Sequence, residues 1–518
     1  MKGIMNKFAL MMMIFSGLVM FSACSDSNGS EGGDDGGNDG GQNTDLPMNS
    51  EQQKEYIETV ANELMGEMPA SDFEGISQFC EDFGGIAGGD VDDWIDDAVN
   101  GDRDDEDVAP VVKSIKAAAG MAKSDKNRTE TDVYTDDAGG VHTTISNYIY
   151  TDYKAFIAAS TFTGHFTAVN GRWVKDAGSA GDLQFSFKDR AGRDCVMRLE
   201  TAGNTKNVHL FAEEDYSHSD YQGDYNDWYG NNTTTTYTYY YDNTEYTVAV
   251  PERITLTLTQ GGSTVMRTEV NVSISELAGE EFNLSRDNVS FTAVTDLSNG
   301  YKANVSQAAY TANSKAAANA ELSKNGKSLM TFAVASDISG IPSLNVSALG
   351  DIDLDDLGNA TGKNAVAKVD ILGKIQIQGT LSDIRQFIDY LDKAEDNYGV
   401  ESQYKSYLNQ ANSLMNIGVY YNNSQTRQAS LRLEPFFNEY EYGAVYGDKR
   451  GYWSNEPVIV FSDGTSYSTF DAFFDEDSFK SVIDGLKNYA KLFGWEEEED
   501  EYLPSQPGEY MPSPSQPR

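Results

Sequence analysis

Residues 254–274 read ITLTLTQGGSTVMRTEVNVSI. Apolar residues alternate with threonine up to the Gly261-Gly262 pair, and the alternation resumes between Val270 and Ile274. Strict alternation directs one set of side chains to the core and the other to solvent, and paired glycines supply a tight turn. The stretch therefore predicts a β-hairpin in an antiparallel sheet.

Two further segments show the same order of strand, short glycine-containing turn and strand. No fixed repeat period relates the three hairpins, so the pattern predicts a meander of strands rather than a propeller. Strands this long must twist, and a broad sheet of them tends to curl. The two segments are residues 182–199, with a turn at Asp189–Gly192, and residues 320–334, with a turn at Lys324–Lys327.

Apolar residues recur with a helical period near the start of the foldable chain and again near its end. Four helices are expected in the first region, including a short one near Val91–Val99 and one opened by Pro110. Three more are expected late in the chain, the last over Phe479–Phe493. The predicted N-terminal caps of three of these helices are Asn49 or Ser50, Ser71, and Ser382.

These patterns predict an α+β fold. A helical region over residues 48–125 leads into a large, twisted or curved antiparallel β-sheet over 126–495, with helices packed on one face or end of the sheet. Residues 496–518 are acidic and rich in proline, a composition that predicts a disordered tail.

The charge balance limits the partners. The chain has 518 residues with 38 basic and 82 acidic side chains, for a net charge of −44. Such a field repels nucleic acid and anionic membrane surfaces, so we expect no nucleic-acid partner. It suits solubility, divalent-cation association or cationic partners.

Two of the three cysteines lie inside the foldable chain. Cys80 shares a helical face with Phe73, Ile76 and Phe83, and Cys195 lies on the apolar side of a predicted strand. Both are expected to be small core side chains, and a disulfide between them is left open. The cysteine spacing indicates no metal site.

The first 23 residues have the pattern of a secretory signal peptide. Lys2 and Lys7 precede an apolar run over Phe8–Met20. The segment ends Phe21-Ser22-Ala23-Cys24, which resembles the lipobox of bacterial lipoproteins. The resemblance implies cleavage before Cys24 and lipidation of that cysteine, so that a lipid anchors the protein to a membrane. A plain secreted protein cut after Ala23 is the alternative.

Residues 24–47 follow the anchor as a flexible acidic, glycine-rich linker. The acidic residues soon after Cys24 resemble the export signal of surface lipoproteins of Bacteroidetes. This resemblance implies a location at the outer membrane, on the cell surface. A solvated linker on the periplasmic side is the alternative.

No catalytic motif is present. The chain has no G-x-S-x-G element, and its four histidines are scattered without a nucleophile and carboxylate near them in sequence. We therefore expect a non-enzymatic protein. A catalytic triad or a carboxylate pair whose members are distant in sequence has no local sequence pattern and stays open. No cofactor is expected. The weak exception is Ca²⁺ at Asp351–Asp356, which begins like an EF-hand loop and then lacks its glycine and its bidentate glutamate.

The most unusual internal stretch is residues 213–241, EEDYSHSDYQGDYNDWYGNNTTTTYTYYY. Aromatic rings there alternate with carboxylates. Rings that stack on a sugar while neighbouring polar groups bind its hydroxyls suit glycan recognition, and tyrosine and tryptophan also suit protein interfaces. The alternative is a long loop that folds its own aromatics against the sheet. The candidate ligand-binding residues are Tyr216, Tyr221, Tyr225, Trp228 and Tyr229.

Two functions are consistent with these patterns. The first is a lipid-anchored, non-catalytic binding module for a glycan or a protein at the outer membrane surface. The second is a carrier of lipid or another apolar ligand, because a wide curved sheet with helices on its concave side resembles the periplasmic lipoprotein carriers. A secreted hydrolase is third. A closed apolar cavity favours the carrier, and a filled core with exposed tyrosine or tryptophan favours the binding module.

Overall fold

The structure is a computed structural model of the chain. It describes residues 48–86, 109–118, 120–135, 139–158, 163–177, 182–222, 233–275, 282–346, 361–441, 449–462, 467–469, 473 and 479–492.

Strands make up most of the described chain, and helices flank them at both ends and interrupt them once. The α+β class predicted from the sequence is therefore confirmed. The strands are β1 (Gly120–Thr135), β2 (Val141–Ile157), β3 (Gly164–Val169), β4 (Arg172–Lys175), β5 (Leu183–Lys188), β6 (Asp194–Gln222), β7 (Thr233–Gln260), β8 (Ser263–Ile274), β9 (Phe282–Asn283), β10 (Val289–Leu297), β11 (Tyr301–Thr311), β12 (Lys315–Lys324), β13 (Lys327–Ser339), β14 (Asn345–Val346), β15 (Thr361–Ile371), β16 (Ile375–Asp383), β17 (Met415–Tyr421), β18 (Ala429–Glu441), β19 (Lys449–Phe461) and β20 (Tyr467–Thr469).

The helices fall into an N-terminal group, a pair between β16 and β17, and one near the C-terminus. They are α1 (Ser50–Glu67), a 3₁₀ turn (Ala70–Phe73), α2 (Glu74–Gly84), α3 (Ala109–Ala118), α4 (Ile384–Asp396), α5 (Glu401–Leu414) and α6 (Lys480–Leu492).

One 18-stranded sheet holds every described strand except β9 and β14, which pair with each other. Its main order is β4–β3–β5–β6–β7–β8, then β10 to β13, then β15 to β20. Neighbours are antiparallel except for β3–β5, and for β2–β7, where the β1–β2 hairpin joins the sheet. The hairpins predicted for residues 182–199, 254–274 and 320–334 pair as expected. The prediction of a purely antiparallel sheet is wrong, because two strand pairs in the sheet are parallel.

The main hydrophobic core lies between the first helices and the neighbouring strands. Residues that face each other across strands share one side of the sheet, as Leu258 and Met266 do. That side meets Phe79 and Phe83 of α2, which pack edge-on against strand phenylalanines such as Phe187. Cys80 and Cys195 are both buried in this core as free thiols, as small core side chains.

A row of charged contacts fixes α1 over the hairpin turns. The ammonium groups of Lys327 and Lys374 contact Glu67 at 2.7 Å and Glu63 at 2.6 Å. Lys324 Nζ lies 2.9 Å from Asp72 Oδ2, and that carboxylate also accepts a hydrogen bond from the Tyr301 hydroxyl at 2.8 Å. Since these lysines come from more than one hairpin turn, the helix braces several strands at once.

The first described residues are tied to the last third of the chain by a buried amide pair. Gln428 Oε1 accepts a hydrogen bond from Met48 N at 2.8 Å, and the Gln428 carbonyl accepts one from Gln53 Nε2 at 2.8 Å. Gln53 and Gln428 are almost fully buried. A buried amide without partners would be costly, so these bonds fix the start of α1 against β18.

Three local predictions differ from the structure. Asp383, rather than Ser382, caps α4, because its carboxylate accepts the hydrogen bond from Gln386 N. Ser71 lies within the 3₁₀ turn instead of capping a helix. The sheet begins at Gly120, earlier than the predicted change at residue 125. By contrast, the Asn49 cap is confirmed and forms a capping box with Gln52.

Four strand segments form an extension that we call the ribbon: β1, β2, residues 205–222 of β6 and residues 233–248 of β7. Their order is β1–β2–β7–β6. β1 alone spans 16 residues, which is roughly 50 Å at about 3.3 Å per residue. Among the described residues, no member of the four hydrophobic clusters comes from the ribbon. We call the remaining strands and the helices the body.

Candidate functional site

A row of aromatic side chains lies on one face of the ribbon. Tyr148 and Tyr150 alternate along β2, and three tyrosines alternate along β7. Alternate residues of a strand point to the same face, and the parallel register sets Tyr148 beside Tyr239 and Tyr150 beside Tyr241. The sequence pattern and the register together therefore place five rings on one face.

We call this set the tyrosine ladder: Tyr148, Tyr150, Tyr237, Tyr239 and Tyr241. Its rings stack with centroid separations of 5.2 Å for Tyr148–Tyr239 and 5.0 Å for Tyr150–Tyr241, at interplanar angles of 17° and 19°. The ring of Tyr237 continues the row at 6.2 Å from Tyr239. These separations fall within the range of favourable offset stacking.

The rings of the ladder are half-buried, so they keep part of their surface in contact with solvent. The guanidinium of Arg128 lies 5.9 Å from the centroid of the Tyr148 ring. The Tyr148 hydroxyl donates to Glu130 Oε2 at 3.4 Å, and partial desolvation together with this carboxylate raises the pKa of Tyr148 above its usual value. The phenol therefore stays neutral at physiological pH and remains a hydrogen-bond donor.

Charged side chains around the ladder are paired with one another. Lys126 forms an ion pair with Asp152, and Lys154 forms one with Glu245 across the β2–β7 boundary. These four charges cancel one another, although the ribbon as a whole has ten acidic and five basic side chains. An aromatic surface with an excess of acidic side chains suits a neutral ligand better than an anionic one.

The outer edge of the ribbon is poorly suited to adding a further strand. β1 reads GMAKSDKNRTETDVYT and pairs only with β2 among the described strands. Residues 124–135 of β1 are exposed and rich in charge. Charged edge strands oppose strand-to-strand association, so the tyrosine face is the better candidate for ligand contact.

The predicted aromatic residues lie beside the ladder or outside the described chain. The backbones of Tyr216 and Tyr221 lie in β6, opposite Tyr241 and Tyr237 of the ladder. The prediction of a long loop is therefore wrong for residues 213–222 and 233–241, which form paired strands. The other candidates, Tyr225, Trp228 and Tyr229, fall in residues 223–232, outside the described residues.

The sequence patterns did not mark the ladder as a site, although a signal for it exists. Tyr237, Tyr239 and Tyr241 recur with a period of two, and Tyr148 and Tyr150 do the same. Their meeting depends on the parallel β2–β7 register, which joins segments about 90 residues apart, as the separation of 91 residues between Lys154 and Glu245 shows. Short-range patterns do not contain that information.

A histidine–carboxylate pair lies in the body. His165 Nε2 is 2.8 Å from Asp182 Oδ1, and Arg198 contacts the other carboxylate oxygen. Burial alone would raise the pKa of Asp182, but the bonds from His165 and Arg198 outweigh it and lower that pKa. An aspartate held ionised between two partners at the start of β5 resembles a structural ion pair more than an acid–base catalyst.

The described residues offer little support for a metal site or for a closed apolar cavity. Among the described residues, no group of three or more histidine, cysteine, aspartate or glutamate side chains is placed to hold a metal ion. The Asp351–Asp356 segment lies outside the described residues, as does Cys24. Two depressions with described linings measure about 240 and 290 Å³, and charged residues line both.

Comparison of the chain with protein-family models, curated proteins and solved structures found no match. In the part of the chain that the structure describes, no helix has the length and apolarity needed to cross a membrane.

Proposed function

We propose that the protein is a lipid-anchored, non-catalytic binding module of the outer membrane surface, and that its tyrosine ladder binds an uncharged polysaccharide. The observation that carries the proposal is the row of five half-buried tyrosine rings on one face of the ribbon. Such a row offers repeated hydroxyl groups and apolar ring surface along one direction. A polysaccharide presents matching hydroxyls and apolar faces at regular intervals.

The body acts as the support of this surface in the proposal. We infer that its sheet is twisted and curved and that the helices cover its apolar side, since α1, α2 and α6 all share clusters with strand residues. A rigid support limits the loss of conformational freedom when a ligand binds. Tyrosine itself loses little entropy, because its side chain has only two torsion angles.

The membrane partner is the lipid attached at Cys24. Replacing Cys24 with Ser should release the protein from the membrane fraction, because no other anchor is proposed. Protease added to intact cells should remove the body if it faces outward. Retention of the variant in membranes contradicts the anchor, and protection until the cells are lysed contradicts the surface location.

The binding test uses the chain from residue 24 onwards with Cys24→Ser, which leaves every described element in place. Insoluble neutral polysaccharides and a glycan array are the probes. Tyr239→Ala should weaken binding about tenfold or more, since truncating an aromatic anchor often costs about 2 kcal/mol. Tyr398→Ala is the matched control, because Tyr398 is an exposed tyrosine of the body, outside the ribbon.

Trp228→Ala tests the sequence-based part of the proposal in the same assay, and it should weaken binding without lowering the unfolding midpoint. Equal loss of binding in the Tyr239 and Tyr398 variants would point to non-specific adsorption. Binding that survives Tyr239→Ala and Tyr148→Ala together contradicts the ladder as the site. Loss of folding in the variants is checked by the unfolding midpoint of each.

A further inference from the structure

The larger of the two depressions, of about 290 Å³, lies on the polar face of the sheet, opposite the side that meets the helices. Lys368, Gln378 and Gly418 face one another across β15, β16 and β17. Its polar lining comes from Lys368, Gln378, Thr380, Asn416, Tyr420 and Arg427.

Arg427 is held in a fixed position above the sheet. Its Nη2 donates to Asn416 Oδ1 at 2.7 Å, and its Nε donates to the Tyr420 hydroxyl at 3.3 Å. The guanidinium occupies space over Gly418, where an added Cβ would lie 2.7 Å from Arg427 Nε. Glycine at this position therefore lets the guanidinium approach the backbone, and the remaining N–H groups of Arg427 are left for a ligand.

The charge of the depression contrasts with that of the chain. The chain has 82 acidic and 38 basic residues, yet the lining holds Lys368 and Arg427 and no carboxylate. Neither cation forms an ion pair with another of the described residues. Asp370 lies two positions along β15, outside the lining, and already accepts hydrogen bonds from Gly373 N and Gln376 Nε2.

The two cations stand at opposite sides of the depression. Lys368 and Gly418 are two strands apart in the same row, which corresponds to roughly 10 Å. Between them lie amides and a hydroxyl, which bind sugar hydroxyls well. The volume is at the lower end for small-molecule sites, so the occupant is about the size of one sugar residue.

We propose that this basic depression is a second binding site, which holds one sugar residue bearing a carboxylate, such as a uronic acid. Arg427 binds the carboxylate through its free N–H groups, since a planar guanidinium matches a carboxylate in geometry and charge. Lys368 adds a second positive charge, and Gln378 and Asn416 bind hydroxyls. The site is independent of the tyrosine ladder, which lies on a different part of the sheet.

The test is a calorimetric titration of the chain from residue 24 onwards carrying Cys24→Ser. D-glucuronate and D-glucose are the matched probes, because they differ only at C6, where glucuronate has a carboxylate and glucose a hydroxymethyl group. Glucuronate should bind at least about tenfold more tightly than glucose, given the strength of hydrogen bonds to charged groups. A homopolymer of the uronic acid, run in parallel, distinguishes a free sugar from a residue within a chain, and binding of either supports the site.

Three variants locate the site. Arg427→Gln should weaken glucuronate binding roughly tenfold or more, and Lys368→Gln should weaken it by a smaller factor. Gly418→Ala keeps every charge but displaces the guanidinium, so it should also weaken binding. Lys302→Gln is the control, since Lys302 is an exposed lysine near Asp296, on strands outside the depression.

The proposal is overturned if glucose binds as well as glucuronate, or if glucuronate binding survives both Arg427→Gln and Lys368→Gln. Competition by acetate or sulfate at the same strength as glucuronate also overturns it, because the site would then be a simple anion site. The unfolding midpoint of each variant shows whether that variant still folds. If Tyr239→Ala abolishes polysaccharide binding at the ladder but leaves glucuronate binding unchanged, the two sites are independent.

Discussion

The body and the ribbon are made from the same kind of long β-strand, but different forces hold them together. In the body, Phe185 is fully buried against other aromatic rings and against α2. In the ribbon, the rings of the tyrosine ladder are half-buried and contact one another across a strand pair. The body gains stability from excluding water, and the ribbon gains it from hydrogen bonds and ring stacking.

The difference has an energetic consequence. Burying a phenylalanine completely contributes about 1.5–3 kcal/mol before any cavity is counted, whereas an aromatic pair adds about 0.5–1.5 kcal/mol beyond its burial. The ribbon should therefore open locally at a lower free energy than the body unfolds.

The largest expected effect is that of truncating a core side chain of the body. Phe185→Ala should lower the free energy of unfolding by about 3–5 kcal/mol, because it removes a fully buried ring and leaves a cavity. Chemical denaturation followed by circular dichroism measures the change. Tyr239→Ala should lower it by less than about 1.5 kcal/mol. Similar losses in the two variants would show that the ribbon and the body unfold as one unit.

The second prediction concerns acid stability of the contacts between the N-terminal helices and the hairpin turns. The hydrogen bond from Lys324 is the main cause that lowers the pKa of Asp72 below its ordinary value of 3.8, and it outweighs desolvation. A lowered folded pKa means that Asp72 stabilises the fold above about pH 4 and that this contribution is lost as the pH falls through the folded pKa.

Asp72→Asn should therefore cost about 1 kcal/mol at pH 7 and less at pH 3, which lies below the ordinary pKa of 3.8. Denaturation curves at both pH values measure the difference. This pH dependence should appear in the unfolding of the body, and the rate of proteolysis within the ribbon should be unaffected by Asp72→Asn. An equal cost at both pH values would mean that the charge of Asp72 does not stabilise the fold.

The smallest effect is expected within the ribbon. Tyr148→Ala should speed proteolysis or amide exchange of residues 141–157 by up to about tenfold, corresponding to about 0.5–1.5 kcal/mol of lost stacking. The global unfolding midpoint should stay within error of the parent. Tyr148→Phe keeps the ring and is the control, so a similar acceleration in that variant would assign the effect to the hydroxyl.

Much of the body could be predicted from the sequence because its strands have one apolar and one polar side. The hairpin of 254–274 shows this alternation, and its Gly261 and Gly262 adopt positive φ values of 58° and 81°. The Asn49 cap could be predicted in the same way, whereas Ser71 and Ser382 are not caps although the sequence favoured them. Such local signals contain most of the information needed for these elements.

The ribbon could be predicted only in part, and neither the tyrosine ladder nor the basic depression was among the predicted sites. Residues 213–222 lack the alternation of apolar and polar residues that marks a half-buried strand, so the sequence there favours a loop. The meeting of Tyr148 with Tyr239 requires a pairing between distant segments. Likewise, the space that Gly418 leaves for Arg427 depends on the fold of the β17–β18 turn.

The buried bond between Met48 and Gln428 bears on how the chain reaches its native state. The two residues are 380 positions apart. Contacts between residues so far apart close a long loop, and the entropy lost in closing it must be overcome before the contact stabilises the fold. Val60 of α1 depends on such contacts, because it packs with residues of β17–β19. The docking of α1 on these strands is thus expected late in folding, and a chain of this topology folds slowly for its size.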